Sequence, residues 1–121
     1  MTQLSGTTLA YIGDAIYEVM IREMLIKKGY QKVDNLHKEA IKYTSAVGQK
    51  VAIDLIFDQL TEEEVAVFKR GRNANTDRKA RNASLGDYKQ ATGFEALIGY
   101  LYLEKRQDRL TEIMSIIINE S

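Results

Sequence analysis

The chain has no cysteine, no proline, no tryptophan and a single histidine, His37. Without cysteine there is no disulfide framework, no thiolate nucleophile and no thiolate zinc site, and one histidine cannot build a histidine cluster. Any metal must therefore be held mainly by oxygen atoms. The absence of proline, of internal repeats and of low-complexity tracts removes the usual markers of an interdomain linker. No segment approaches the roughly 18 consecutive apolar residues of a membrane span, so no membrane partner is expected. The polar start from Met1 to Thr8 also lacks the basic-then-apolar pattern of a secretory signal, which makes the cytoplasm the expected location. Net charge is missing as well: 17 basic residues balance 17 acidic ones, so the chain as a whole does not attract a polyanion.

Hydrophobic residues make up 45% of the 121 positions and charged residues 28%, a globular balance. That length suits one domain over residues 1–121, burying roughly two-thirds of the surface of the unfolded chain. Apolar residues recur at helical spacing nearly throughout, and no segment alternates like a strand, so the expected fold is all-α with about six or seven helices. Leu9, Ile12, Ile16, Val19 and Met20 mark a first helix from about residue 6 to Lys28, stopped by Gly29. Asp34 or Asn35 can cap a second helix carrying Leu36, Ala40 and Ile41. Thr44 or Ser45 can cap a third with Val47, Val51, Leu55 and Ile56. Thr61-Glu62-Glu63-Glu64 fits a capping box opening a fourth, with Val65 and Phe68 on its apolar face. From Asn73 to Gly86 the pattern fails and an exposed loop is expected. Asp87 can cap a fifth helix containing Phe94, Leu97, Ile98 and Leu101, and a sixth starts near Gln107. Tyr88, Tyr100 and Tyr102 are assigned to the core, and His37 to the surface.

Most carboxylates on helices are solvated surface groups. Asp14 departs from that pattern, because Tyr11, Ile12, Gly13, Ala15, Ile16 and Tyr17 surround it in the most apolar part of the first helix, where water should be scarce. Glu95 lies in a similar setting, Gly93-Phe94-Glu95-Ala96-Leu97-Ile98-Gly99-Tyr100, with glycines that permit close approach. Two such acids on neighbouring helices could converge on a hard divalent cation, which prefers carboxylate and water oxygens. A cation there would suit phosphodiester hydrolysis, since it activates water and polarises the phosphate. Glu18 shares a face with Asp14 one turn away; it can support the cation or pair with Arg22.

Leu9-Ala10-Tyr11-Ile12-Gly13-Asp14-Ala15-Ile16-Tyr17-Glu18 resembles the signature helix of the ribonuclease III family, and Phe94-Glu95-Ala96-Leu97-Ile98-Gly99 resembles its second motif. Leu36-His37-Lys38, Tyr43-Thr44-Ser45-Ala46 and Arg70-Gly71-Arg72-Asn73 are similar to the compact Mini-ribonuclease III branch, which lacks the appended double-stranded-RNA-binding domain. The chain ending at Ser121 leaves no room for that domain. The resemblance implies a ribonuclease III-type helical fold and a magnesium-dependent endoribonuclease, with manganese as a substitute. It implies Asp14 and Glu95 as the catalytic, metal-binding acids. It further implies a homodimer cutting both strands of a duplex, maturation of the ends of precursor 23S ribosomal RNA, and room for a ribosomal protein that presents the substrate. Ala10 and Thr92 depart from the pattern, since full-length relatives usually carry acids there, leaving fewer protein ligands for metal.

The charge that is absent globally is present locally. Lys69, Arg70, Arg72, Arg78, Lys79 and Arg81 stand against one acid, Asp77, and together with Asn73 they offer donors to the phosphates and 2′-hydroxyls of duplex RNA. A solvated polar loop is the plainer reading of such a run. The alternative to an enzyme is a non-catalytic duplex-RNA-binding or ribosome-assembly module on the same fold, motivated by Ala10 and Thr92.

Overall fold

The computed structural model describes residues 4–74 and 84–120, and these contain six α-helices, one 3-10 turn and no strand. Ser5 starts α1 (Gly6–Lys27) by accepting the Thr8 N–H on its hydroxyl at 3.1 Å, and Gly29, with φ of 106°, follows its end. α2 spans Val33–Thr44 and α3 Ala46–Ile56. The turn Phe57–Gln59 leads to α4 (Glu62–Arg72), then come α5 (Leu85–Leu103) and α6 (Gln107–Glu120).

Helix α5 is the centre of the molecule. Every residue from Ala91 to Leu101 is buried except Glu95, which is half-buried. A helix that is apolar on all sides must be covered on all sides, and α1, α3, α4 and α6 all pack on α5. Tyr17 of α1 meets Phe94 of α5 edge-on, with ring centres 4.8 Å apart.

The capping box expected at Thr61 is present: the Glu64 N–H donates to Thr61 Oγ1 at 3.1 Å, and the Thr61 N–H donates to Glu64 Oε1 at 2.9 Å. Glu64 is 1% exposed and does more than cap. Arg109 of α6 donates to both of its oxygens at 2.8 Å and to the Gln59 carbonyl, also at 2.8 Å, tying α4, α6 and the 3-10 turn together.

Several boundaries differ from the sequence reading. Neither Asp34 nor Asn35 caps α2, which begins at Val33 without a side-chain cap; Asp34 lies in the first turn, where its charge meets the positive helix end. Ser84 rather than Asp87 caps α5, accepting the Asp87 N–H at 3.0 Å, so the helix begins earlier than Asp87. Ser45, of the two candidates, caps α3. Tyr100 is buried and Tyr88 half-buried, but Tyr102 is 44% exposed, because residues two apart on a helix face different ways. Val19, Val47 and Val51, which mark the apolar period of the first and third helices, are about half exposed or more, at 61%, 48% and 50%.

Candidate active site

Glycine brings together the backbones of the two helices that carry Asp14 and Glu95. A Cβ built on Gly13 would lie 1.8 Å from the Glu95 carbonyl oxygen, and one on Gly99 would lie 2.0 Å from the Leu9 carbonyl oxygen. The backbones of α1 and α5 are therefore in direct contact at two levels, a separation only residues without a side chain allow. Asp14 follows Gly13 at this crossing, so the two acids read from the sequence sit on adjoining helices at the same level.

Their environments differ. Glu95 is half-buried and accepts a hydrogen bond from Gln49 Nε2 of α3 at 3.2 Å. Asp14 is exposed, contrary to the expectation of scarce water. The apolar residues around it divide between two faces. Gly13 and Tyr17 point into the core, whereas Tyr11 and Val19 point outward and are 83% and 61% exposed. The local sequence is apolar on both sides of α1, and the described residues cover only one of them.

Glu18 turns to Arg22, whose Nε donates to Glu18 Oε2 at 2.9 Å. Ala10 and Thr92 are both buried, and the Thr92 hydroxyl donates to the Tyr88 carbonyl of its own helix at 3.0 Å. Neither supplies a carboxylate, and among the described residues no three His, Asp or Glu side chains converge on a common point.

The candidate site thus offers two carboxylates, one open to water and one hydrogen-bonded to an amide. Such an all-oxygen pair fits a hard cation of the magnesium type, which gives up its water reluctantly and commonly keeps several water ligands beside one or two carboxylates.

The basic residues end α4. Lys69, Arg70 and Asn73 are exposed, and Arg72 lies over the Phe68 ring at 5.7 Å while its Nε donates to Asn73 Oδ1 at 3.2 Å. A Cβ on Gly6 would approach the Arg70 carbonyl oxygen to 2.5 Å, so the end of α4 rests on the start of α1. Gly6 to Asp14 is eight residues, or about 12 Å along the helix axis. Arg78, Lys79 and Arg81 lie outside the described residues. His37 is exposed, away from both acids in sequence and on a different helix.

Gln49 escaped the sequence reading. Gln49, Ala52, Ile53 and Ile56 are the buried residues of α3, spaced as one helical stripe, so a glutamine occupies a core position. A polar residue on an apolar stripe was the available signal.

The chain is thus an all-helical domain wound around a central helix, α5, whose backbone meets that of α1 at Gly13 and Gly99. A family model for the ribonuclease III domain matches residues 7–106. Mini-ribonuclease 3 of Clostridium tetani is 48% identical over 98% of this chain and 80% of its own length, and that of Enterococcus faecalis is 44% identical over 98% and 91%. The crystal structure of a Fusobacterium nucleatum protein superposes with a TM-score of 0.89 at 34% identity, covering 97% of this chain and 95% of the other. The chain belongs to the ribonuclease III family, in its Mini-ribonuclease 3 branch.

Proposed function

We propose that the protein is an endoribonuclease that hydrolyses phosphodiester bonds of double-stranded RNA at a site formed by Asp14 and Glu95. The observation that supports the reading is the Gly13–Glu95 backbone contact, which brings together the stretches of α1 and α5 that carry the two acids. Asp14 and Glu95 would hold a divalent cation, magnesium or in its place manganese. When bound, the cation neutralises the phosphate and makes water a better nucleophile. The water oxygen adds to phosphorus and gives up a proton to solvent, one phosphorus–oxygen ester bond breaks, and the departing oxygen takes up a proton from solvent. Asp14, open to solvent, is accessible to a phosphate from outside, while Glu95, half-buried, would be a ligand held by Gln49.

Lys69, Arg70, Arg72 and Asn73 at the end of α4 reach the backbone of the same duplex, with Arg78, Lys79 and Arg81 continuing the basic run. Recognition is by phosphate and 2′-hydroxyl contacts, that is, by duplex shape. Glu18 is held by Arg22 and supports the site indirectly.

Two copies of the chain suit a duplex with two antiparallel backbones. Tyr11, Val19 and Ile26, 83%, 61% and 60% exposed, form an apolar strip on the face of α1 that the described residues leave uncovered, and a second α1 is the partner proposed for it. Maturation of precursor 23S ribosomal RNA is the natural substrate in this reading, with a ribosomal protein as helper and the cytoplasm as location.

Ala10 and Thr92, buried where acids could stand, leave two candidate carboxylates among the described residues and favour a second reading: a duplex-RNA-binding or ribosome-assembly module without catalysis. Incubating the protein with long paired RNA, single-stranded RNA and duplex DNA, each with magnesium or a chelator, separates the two. Magnesium-dependent cutting confined to paired RNA supports the nuclease; binding of paired RNA without cutting supports the module.

A further inference from the structure

We propose that Gln49 is a positioning residue for Glu95, holding one oxygen of its carboxylate in place for metal binding; the inference rests on the reading of Asp14 and Glu95 as the metal-binding pair. Gln49 is 2% exposed and belongs to the core stripe of α3. Its Nε2 donates to the Thr44 carbonyl at 3.0 Å and to Glu95 Oε2 at 3.2 Å. Both partners are pure acceptors, so the amide orientation is fixed: reversing it would set its oxygen against a carbonyl and a carboxylate. The two N–H bonds of the amide are matched by two acceptors, one from the protein frame and one from the site.

The frame is built to hold that amide still. Ser45 ends α2 by donating its N–H to the Ile41 carbonyl at 3.0 Å and starts α3 by accepting the Gly48 N–H on its hydroxyl at 3.1 Å. The Thr44 hydroxyl donates to the Ala40 carbonyl at 3.1 Å. A Cβ at Gly48 would come within 2.3 Å of the Lys42 carbonyl oxygen, so the corner is closed as tightly as backbone allows. The stretch Tyr43-Thr44-Ser45-Ala46, which carries no chemistry of its own, makes this corner and fixes the Thr44 carbonyl from which Gln49 is aligned.

Stability does not account for a glutamine here. Its Oε1 is buried without a hydrogen-bond partner among the described residues, a desolvation loss that an apolar side chain of the same size would avoid. What the amide delivers instead is a neutral donor to Glu95. A lysine or arginine in its place would also orient the carboxylate but would compete with a cation for its charge; an amide orients it and leaves the charge available.

The test is titration with Mn2+, followed by electron paramagnetic resonance of the free ion, on the protein without RNA. The unsubstituted protein, Gln49→Met, Gln49→Asn and Glu95→Gln are compared, with melting temperatures measured alongside. Gln49→Met removes the donor at constant size, and Gln49→Asn keeps an amide too short to reach. The expected result is a loss of Mn2+ affinity of about 10- to 100-fold in both Gln49 variants, with Gln49→Met melting no lower than the unsubstituted protein. A merely structural glutamine predicts the reverse, a lower melting temperature with unchanged affinity. Unchanged Mn2+ binding in the Gln49 variants while Glu95→Gln has lost it would overturn the role of Gln49 alone. Unchanged binding in Glu95→Gln would overturn the metal-binding pair, and the role of Gln49 with it.

Discussion

A methyl group at position 13 would need space occupied by the Glu95 carbonyl oxygen, and backbone cannot rotate away as a side chain can. Gly13→Ala is therefore expected to force α1 and α5 apart, costing about 1 to 3 kcal/mol or more, and to lower cleavage by separating Asp14 from Glu95. Gly86→Ala is the matched control, because a Cβ there meets only Ser84 Oγ at 3.8 Å. Denaturant unfolding and cleavage assays on both variants check this; a Gly13→Ala protein as stable and active as the Gly86→Ala protein would contradict it. At this scale the sequence singled out two acids and was silent about their surroundings. Asp14 and Glu95 stood out as charges in apolar stretches. The exposure of Asp14 did not, because an apolar neighbour such as Val19 reads the same whether it faces a core or an uncovered surface.

Between elements, the bond network of Glu64 and Arg109 is the main polar tie. Arg109→Ala would leave a carboxylate buried without its cation, an expected loss of about 3 to 5 kcal/mol, read as a lower unfolding midpoint. The same pair sets an acid sensitivity. The hydrogen bonds from Arg109 lower the pKa of the Glu64 carboxyl, burial works against them, and the Thr61 N–H adds to the lowering. A carboxyl depressed on folding stabilises fully above its unfolded value, about 4.3 for glutamate, and loses that contribution as pH falls through the lower folded value. Melting temperature measured against pH should thus fall more steeply on the acid side for the unsubstituted protein than for Glu64→Gln; parallel curves would contradict this. Helix number, order and the Thr61 box were legible because hydrophobic period and capping chemistry are local. The start of α5 was not, because Ser84 and Asp87 are three residues apart and both are good caps. The link from Glu64 to Arg109 spans 45 residues, a separation that periodicity cannot see.

For the molecule as a whole, the all-α fold followed from helical periodicity, whereas the outward strip on α1 required the structure. Helices that are apolar on two faces leave open which face the chain covers itself. If that strip joins two copies, light scattering should give twice the chain mass, and Val19→Glu should give a folded monomer; a monomeric unsubstituted protein would remove the dimer from the account. The central claim joins fold, acids and substrate, and single-turnover cleavage of long paired RNA with magnesium tests it most directly. The unsubstituted protein is compared with Asp14→Asn and Glu95→Gln, each shown by circular dichroism to be folded. The account predicts cutting by the unsubstituted protein and a fall of about 100-fold or more in each variant. Cutting at an unchanged rate by folded Asp14→Asn would contradict it.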